Sequence, residues 1–99
     1  TRGKSFDTFC PIGPWVETEL DAGNVRIRSV LNGEVRQNST TAMMTHDIDK
    51  LICYMSACMT LLPGDVVATG TPEGIGPMQR GDVIAVEIEG IGTLKNTIV

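Results

Sequence analysis

The sequence predicts a mainly β fold of the α+β class, because turns between apolar strands outnumber helical patterns. Asn32-Gly33 lies between two stretches of alternating side chains, and a Gly-Asp turn precedes an apolar run twice, at 64–65 and 81–82. Helical spacing of apolar residues is found between residues 47 and 59. These three observations predict a sheet with one amphipathic helix.

The composition is that of one globular domain. Of the 99 residues, 41% are hydrophobic and 20% are charged, which is close to the average of folded soluble domains. The net charge is -4 and the arginines are scattered, so we expect no nucleic-acid partner. No apolar run approaches the roughly 20 residues of a membrane span, so we also expect a soluble protein without a membrane partner.

The cysteines predict reduced thiols. Cys10, Cys53 and Cys58 cannot all pair, and their spacing matches no zinc or redox motif. Unpaired thiols are typical of the reducing cytoplasm. We therefore expect a cytoplasmic protein.

The opening segment, residues 3–15, predicts an extended loop rich in turns, because two Gly and two Pro oppose any long regular element. It carries three of the four aromatic residues, Phe6, Phe9 and Trp15. We expect these rings to pack inward. Neither an initiator Met nor a helix cap precedes Lys4, so we expect the chain to begin within a domain.

The next two elements are a hairpin and the helix. Residues 24–37 alternate apolar and basic side chains around Asn32-Gly33, a dipeptide that favours the type I′ hairpin turn. The helix is predicted from about 47 to 59, with Thr45 or Asp47 as its N-cap. Leu62-Pro63-Gly64 ends it.

The last third predicts strands separated by glycine-rich loops. Apolar runs after the two Gly-Asp turns predict strands at 65–69 and 82–88. Residues 90–92 form the turn into a final strand, 93–99. A second Gly/Pro loop, 70–77, connects the first two of these strands.

Lys4 and Thr8 are candidate site residues on the opening loop. Gly3-Lys4-Ser5 is similar to the end of a phosphate-binding loop, but Pro11 follows where that motif requires a helix. A lysine on a rigid loop can instead supply a fixed cation to an anion or an enolate, with Thr8 beside it. An ordinary surface lysine would give the same pattern, and the residues alone leave both interpretations open.

Gly70 and Thr71 are the second candidate pair. They place a hydroxyl and unhindered backbone amides after an apolar run, which suits the binding of a carboxylate. A plain turn would have a similar sequence. Both interpretations stand at this point.

The other polar residues do not indicate a site. His46 and Asp47 precede the predicted helix, where capping residues are common, and Asp49 suits the positive end of the helix dipole. Glu17 and Glu19 supply two carboxylates, whereas a hard metal ion usually needs a third oxygen ligand. We assign these residues to structure or surface.

Taken together, the loop motifs resemble the fumarylacetoacetate hydrolase superfamily along essentially the whole chain. Their order and spacing are specific, although each motif alone is a weak Gly/Pro pattern. The matching segments are Gly3-Lys4-Ser5-Phe6-Asp7-Thr8-Phe9, Pro11-Ile12-Gly13-Pro14-Trp15, Asn32-Gly33-Glu34, Arg36-Gln37, Leu62-Pro63-Gly64-Asp65-Val66, Thr69-Gly70-Thr71-Pro72-Glu73-Gly74-Ile75-Gly76, Gly81-Asp82-Val83 and Ile88-Glu89-Gly90-Ile91-Gly92-Thr93-Leu94.

The resemblance implies that residues 1–99 are the carboxy-terminal part of a β-roll catalytic domain that binds Mg²⁺ or Mn²⁺. In that family the metal ligands are a Glu-x-Glu pair and an Asp, all upstream of the opening loop, so no metal ligand is expected in this chain. Lys4 matches the active-site lysine and Thr8 a second position on its loop. Thr71, with Gly70 beside it, matches the threonine that binds the substrate carboxylate.

The function implied by the resemblance is a metal-dependent enzyme that breaks a carbon–carbon bond in small oxo-acids through an enolate. Hydrolysis of acylpyruvate-like substrates and decarboxylation both fit. The alternative in the same family is an isomerase or decarboxylase of intermediates such as 2-hydroxyhepta-2,4-diene-1,7-dioate, in aromatic catabolism. A different class is an inactive structural or binding fragment. We expect the full-length parent to be a homodimer.

Overall fold

A computed structural model describes residues 2–99 and contains one four-stranded sheet, one α-helix and two 3₁₀ turns. The helices and strands in chain order are β1 (Arg26–Leu31), β2 (Glu34–Thr40), α1 (Ile48–Cys58), β3 (Val83–Ile88) and β4 (Gly92–Thr97). The short 3₁₀ turns, Ala22–Asn24 and Thr41–Met43, flank the first hairpin. The prediction of a mainly β fold with one helix is confirmed.

The sheet is antiparallel, with strand order β2-β1-β3-β4. Its first hairpin turns at Asn32 and Gly33, whose φ angles of 50° and 87° are those a type I′ turn requires. The Asn32 side chain then bonds the start of β3: its Oδ1 accepts a hydrogen bond from the backbone N–H of Val83 at 2.9 Å. The predicted turn therefore also sets the position of β3.

The two faces of the sheet differ in polarity. Side chains alternate across a strand, so Ser29 and Leu31 of β1 share a face with their β3 partners Val86 and Ile84; we call this the inner face. Ser29 and Leu31 are each 7% exposed. Arg28 lies on the opposite, outer face and is exposed.

Helix α1 begins where the sequence predicted. Asp47 is its N-cap, and its Oδ1 accepts a hydrogen bond from the backbone N–H of Lys50 at 2.7 Å. The half-buried residues Ile48, Leu51 and Met55 recur at helical spacing along one side. Within residues 2–99 no helix is long and apolar enough to cross a bilayer.

The strand predicted at 65–69 is wrong. Those residues, all in the part of the chain that the structure describes, are extended without forming a strand. They pair with neither edge strand of the sheet, β2 or β4, and a short apolar run between Gly/Pro turns does not by itself distinguish a strand from extended coil. The predicted strands at 82–88 and 93–99 are confirmed as β3 and β4.

The opening aromatic residues do not pack inward as predicted. Phe6 and Phe9 are each 57% exposed and Trp15 is 59% exposed. The phenyl rings of Phe6 and Phe9 contact each other, with centroids 5.3 Å apart, so these two side chains cover each other in part. The three cysteines are exposed free thiols, in line with the predicted reduced state.

Candidate functional site

Residues 69–74, which include the predicted carboxylate-binding residues Gly70 and Thr71, are attached to the sheet partly through one side chain. Gln37 of β2 is half-buried, and its Nε2 lies 2.8 Å from Thr71 Oγ1 and 2.8 Å from the carbonyl oxygen of Pro72. Both N–H groups of the amide therefore donate to this loop. The loop is held at its centre, beside the hydroxyl that the sequence singled out.

The surroundings of Gln37 determine which way its amide faces. The Pro72 carbonyl can only accept hydrogen bonds, so the amide nitrogen must face it and the amide oxygen must face the other way. There Oε1 accepts a hydrogen bond at 3.0 Å from the hydroxyl of Ser29, the partner of Gln37 on β1. Since Thr71 Oγ1 accepts from Gln37, its own hydroxyl proton is left to donate.

A close backbone approach holds the other end of the loop. A Cβ on Gly74 would lie 2.1 Å from the carbonyl oxygen of Arg36, and Gly74 has a φ of +97°, so both space and conformation require glycine. Arg36 is also the extra residue of a β-bulge, because Ser29 pairs with Gln37 while Val30 pairs with Val35. The loop thus packs on β2 where the ladder is interrupted.

Gly70 and Thr71 line a cleft of about 320 Å³ between the sheet, the second 3₁₀ turn and α1. Gly70 has a φ of +103°, a conformation that only glycine adopts freely. The lining combines apolar side chains, such as Ile27 on the sheet and Leu51 on the helix, with hydroxyl groups on both the sheet and the loop. The residues that line it are Ile27, Ser39, Thr40, Thr41, Met43, Met44, Thr45, His46, Leu51, Thr69, Gly70, Thr71 and Pro72.

Lys4 and Thr8 lie on the opening loop and are exposed; neither lines this cleft. Thr8 has a φ of 69°, uncommon for a β-branched residue and consistent with a tight turn. In the part of the chain that the structure describes, no hydrogen bond joins residues 2–12 to the sheet. The structure therefore groups Thr71 with Gly70 and does not bring Lys4 and Thr8 to them.

The opening segment meets the sheet only further along. The ring of Trp15 lies against Gly92 at the start of β4, where a Cβ would be 3.2 Å from it, and a Cβ on Gly13 would be 3.3 Å from the Leu94 side chain. These contacts fix residues 13–15 on the β3–β4 hairpin. They lie at the far side of the sheet from β2, because β4 and β2 are its two edges.

The clearest electrostatic feature is outside the cleft. Asp82 Oδ2 accepts a hydrogen bond from the backbone N–H of Gln79 at 2.7 Å, and Asp82 Oδ1 accepts one from Asn32 Nδ2 at 2.9 Å. The first of these bonds, helped by the second, lowers the pKa of the Asp82 carboxyl. Asp82 joins two turns, so it has a structural role. On the outer face Arg28 forms an ion pair with Glu87.

The side chains in the described range do not make a metal site. Among residues 2–99, no three His, Cys, Asp or Glu side chains are grouped closely enough to hold a metal ion. Glu17 and Glu19, the one alternating carboxylate pair considered from the sequence, are both exposed. A hard cation needs several oxygen ligands, and these residues do not supply the set.

The contacts of Gln37 with the loop and with Ser29 were not predicted from the sequence. A signal was available, because the Asn32-Gly33 turn fixes the register of the hairpin and both residues are polar positions within it. The β-bulge makes this signal hard to use. Without the extra residue, Gln37 would pair with Arg28 and would lie on the outer face. His46, which we assigned from the sequence to structure or surface, lines the cleft.

Comparison with known proteins decides the family. The model of the carboxy-terminal domain of fumarylacetoacetate hydrolases matches residues 1–99. The chain belongs to the fumarylacetoacetate hydrolase family. The resemblance carried by the loop motifs is thereby confirmed, and so is the fold it implied.

Relatives within the fumarylacetoacetate hydrolase family include several kinds of enzyme. The crystal structure of 5-carboxymethyl-2-hydroxymuconate delta-isomerase from Mycobacterium smegmatis is 55% identical with a TM-score of 0.96, over 99% of this chain and 39% of its own. Maleylpyruvate hydrolase from Sphingobium sp. SYK-6, in complex with manganese(II) and pyruvate, is 41% identical with a TM-score of 0.92. The match covers 96% of this chain and 37% of the hydrolase chain. A 4-hydroxyphenylacetate degradation bifunctional isomerase/decarboxylase from Salmonella dublin is 48% identical, over 99% and 24%.

The chain thus spans between about a quarter and two fifths of the length of these relatives. Its relatives in the fumarylacetoacetate hydrolase family are isomerases, hydrolases and decarboxylases. At this level the prediction of an enzyme family is confirmed. One relative binds manganese, which supports the use of a divalent metal ion in the family.

Proposed function

We propose that this chain forms the substrate-orienting part of an enzyme that breaks a carbon–carbon bond in small oxo-acids, by hydrolysis of acylpyruvate-like substrates or by decarboxylation. The observation that carries the proposal is the Thr71 hydroxyl, which accepts from Gln37 at 2.8 Å and keeps its proton for a ligand. A carboxylate is the complementary ligand, because it only accepts hydrogen bonds. The partner we propose is therefore a small oxo-acid.

Within the proposal, each candidate residue has a defined task. Thr71 donates to the substrate carboxylate, and Gly70 lets the backbone approach the ligand without a side chain in the way. Cleavage next to a carbonyl leaves an electron pair that forms an enolate, and a fixed cation lowers the energy of that oxyanion. We assign this task to Lys4, with Thr8 as a further substrate contact on the same loop.

The proposed cofactor is Mg²⁺ or Mn²⁺, held by residues outside this chain. The manganese in the maleylpyruvate hydrolase relative supports this cofactor. Residues 1–99 would then be part of a longer catalytic domain whose metal-binding portion precedes it. We further propose that the full-length protein is a cytoplasmic homodimer.

A second candidate function is isomerisation or decarboxylation of intermediates such as 2-hydroxyhepta-2,4-diene-1,7-dioate in aromatic catabolism. It is favoured by the 48% identity to the bifunctional isomerase/decarboxylase of Salmonella dublin and the 55% identity to the delta-isomerase of Mycobacterium smegmatis. Both candidate functions pass through an enolate and need the same carboxylate contact. They differ in how protons and water are delivered.

The test is a panel of oxo-acids offered to the full-length protein with Mg²⁺ or Mn²⁺ in the buffer. Release of pyruvate indicates hydrolysis, release of carbon dioxide indicates decarboxylation, and a shifted ultraviolet band without either product indicates isomerisation. Turnover of none of these substrates, with no Glu-x-Glu pair and following Asp in the preceding sequence, would favour a structural or binding fragment and contradict the proposal.

A further inference from the structure

The Thr71 hydroxyl has one acceptor position already filled by the protein. Gln37 Nε2 donates to Thr71 Oγ1 and to the Pro72 carbonyl, and each distance is 2.8 Å. A hydroxyl that has accepted such a bond directs its proton away from the donor. The proton of Thr71 therefore points away from Gln37 and can be donated to a ligand, and Thr71 lines the cleft together with Gly70.

The direction of this bond is set by the Pro72 carbonyl, which can only accept hydrogen bonds. Gln37 would serve equally well as an acceptor if its amide were turned around, but then its oxygen would face the Pro72 carbonyl oxygen. The buried Ser29 hydroxyl, 7% exposed, donates to Gln37 Oε1 at 3.0 Å and supports the other orientation. Ser29, Gln37 and Thr71 thus form a chain of hydrogen bonds that runs in one direction.

We infer that Gln37 is a positioning residue that fixes the Thr71 hydroxyl as a hydrogen-bond donor to the substrate carboxylate, with the Pro72 carbonyl setting the direction of its amide. This inference rests on the proposed function, which supplies the carboxylate. It goes further, because it assigns the selectivity of the loop for an anionic acceptor to a side chain on the neighbouring strand. Gln37 acts through Thr71 and need not touch the substrate.

Two variants of nearly the same size as Gln37 separate donation from packing. Gln37→Met removes both donors and keeps the length of the side chain. Gln37→Glu offers only acceptors when ionised, so it competes for the Thr71 proton and reverses the bond. Asn38→Leu on the same strand is the matched control, since Asn38 is exposed and pairs with Arg28 on the outer face.

The experiment measures steady-state kinetics on the best substrate of the panel and the Kd of pyruvate, with the full-length protein and Mn²⁺ in the buffer. Gln37→Met should raise KM and Kd by about tenfold, the effect of one lost hydrogen bond, with little change in kcat. Gln37→Glu should raise both by more than Gln37→Met does. Asn38→Leu should leave both unchanged, and all variants should keep the wild-type circular dichroism spectrum.

A double-mutant cycle with Thr71→Val distinguishes positioning from a merely structural role. If Gln37 acts through the hydroxyl, Gln37→Met should cost almost nothing once Thr71→Val is present. An equal cost in both backgrounds would overturn the inference and leave the proposed function intact, as would a KM in Gln37→Met equal to that of the wild type. A wild-type protein that turns over no oxo-acid and binds no pyruvate would overturn the proposed function, and the inference with it.

Discussion

The two loops that carry the predicted substrate contacts are organised differently. Residues 69–74 are attached to β2 at two points, by the Gln37 amide on one side and by the close approach of Gly74 to Arg36 on the other. In the described structure, the opening loop from residue 2 to 12 makes its hydrogen bond and its ring contact within itself, between Phe6 and Phe9. The sheet therefore positions one loop and does not position the other.

The difference separates two kinds of contribution to a site. The geometry of Thr71 is determined by residues on this sheet, so a carboxylate contact there is pre-organised. The geometry of Lys4 is not determined by the contacts in residues 2–99. If Lys4 binds the same substrate, additional contacts must fix the position of its side chain. Variants on the two loops should therefore fail in different ways.

The largest expected effect is on turnover, from the opening loop. Lys4→Ala in the full-length enzyme removes the proposed cation beside the enolate, and kcat should fall by about 100- to 1,000-fold, as for other single oxyanion-stabilising groups. Lys4 is exposed, so the melting temperature should stay within about a degree of the wild type, because surface substitutions cost little.

The control for Lys4→Ala is Lys95→Ala, an exposed lysine of β4 whose partner Ala85 lies on the outer face of the sheet. Its kcat should equal that of the wild type. If Lys4→Ala retains full turnover on a substrate that the wild type converts, the opening loop has no part in the reaction. The site would then lie with residues 69–74.

An intermediate effect is expected from a substitution in residues 69–74, which should change both the stability of the fold and KM. A methyl group at Gly74 meets the Arg36 carbonyl at 2.1 Å, on a backbone with a φ of +97°. Gly74→Ala should therefore lower the free energy of unfolding by about 1–3 kcal/mol, as for other strained backbone positions. It should also raise KM, because the loop must move away from β2 and take Thr71 with it.

Gly76→Ala is the matched control on the same segment, since a Cβ there has no atom within 4 Å. Chemical denaturation and steady-state kinetics of both variants give the comparison. Equal stability of Gly74→Ala and Gly76→Ala would show that the loop is not held against β2. In that case the contrast between the two loops would disappear.

The smallest expected effect concerns Asp82, which stabilises the fold without lining the cleft. Hydrogen bonds from Gln79 and Asn32 lower the pKa of its carboxyl, so the folded state favours the ionised form. Its stabilising contribution is complete above the pKa of an unfolded aspartate and is lost as the pH falls through the lower folded pKa. Asp82→Asn should therefore be less stable than the wild type at pH 7. The gap in stability between the two proteins should become smaller as the pH falls.

Thermal melts of the wild type and Asp82→Asn between pH 7 and pH 3 measure that gap. At a temperature where both are folded, kcat and KM should be equal, because Asp82 joins two turns outside the cleft. A gap of constant size over the whole pH range would contradict the assigned role of the carboxylate. A change in KM would show that these turns influence the site.

Local signals explain which parts of the fold could be predicted. The Asn32-Gly33 turn and the Asp47 cap depend on residues adjacent in sequence, and both elements they begin are present. Residues 65–69 have the composition of a strand, but a strand also has to pair with another strand, and composition does not encode that pairing. The burial of Phe6 and Phe9 was predicted wrongly. Aromatic side chains tend to be buried, but their presence in a sequence does not show which surface would cover them.

The site was predictable only in part for the same reason. Thr71 stands out through the glycines around it, which mark a loop with accessible backbone. Gln37 has no local mark, since its task depends on facing Ser29 across the hairpin and on a loop that lies 34 residues further along the chain. Whether Lys4 and Thr8 reach the same substrate stays a prediction, because contacts within residues 2–99 do not decide it.

Because of the β-bulge at Arg36, the face of the sheet on which Gln37 lies depends on the exact number of residues between Gln37 and the hairpin turn. Next to the turn, Leu31 pairs with Glu34 and Val30 pairs with Val35. If this regular pairing continued along the strands, Gln37 would pair with Arg28. The one additional residue reverses every later side chain of β2 and brings the amide to the inner face. An alignment that matches the hairpin from its turn without allowing for this step would therefore place a relative's equivalent of Gln37 on the wrong side of the sheet.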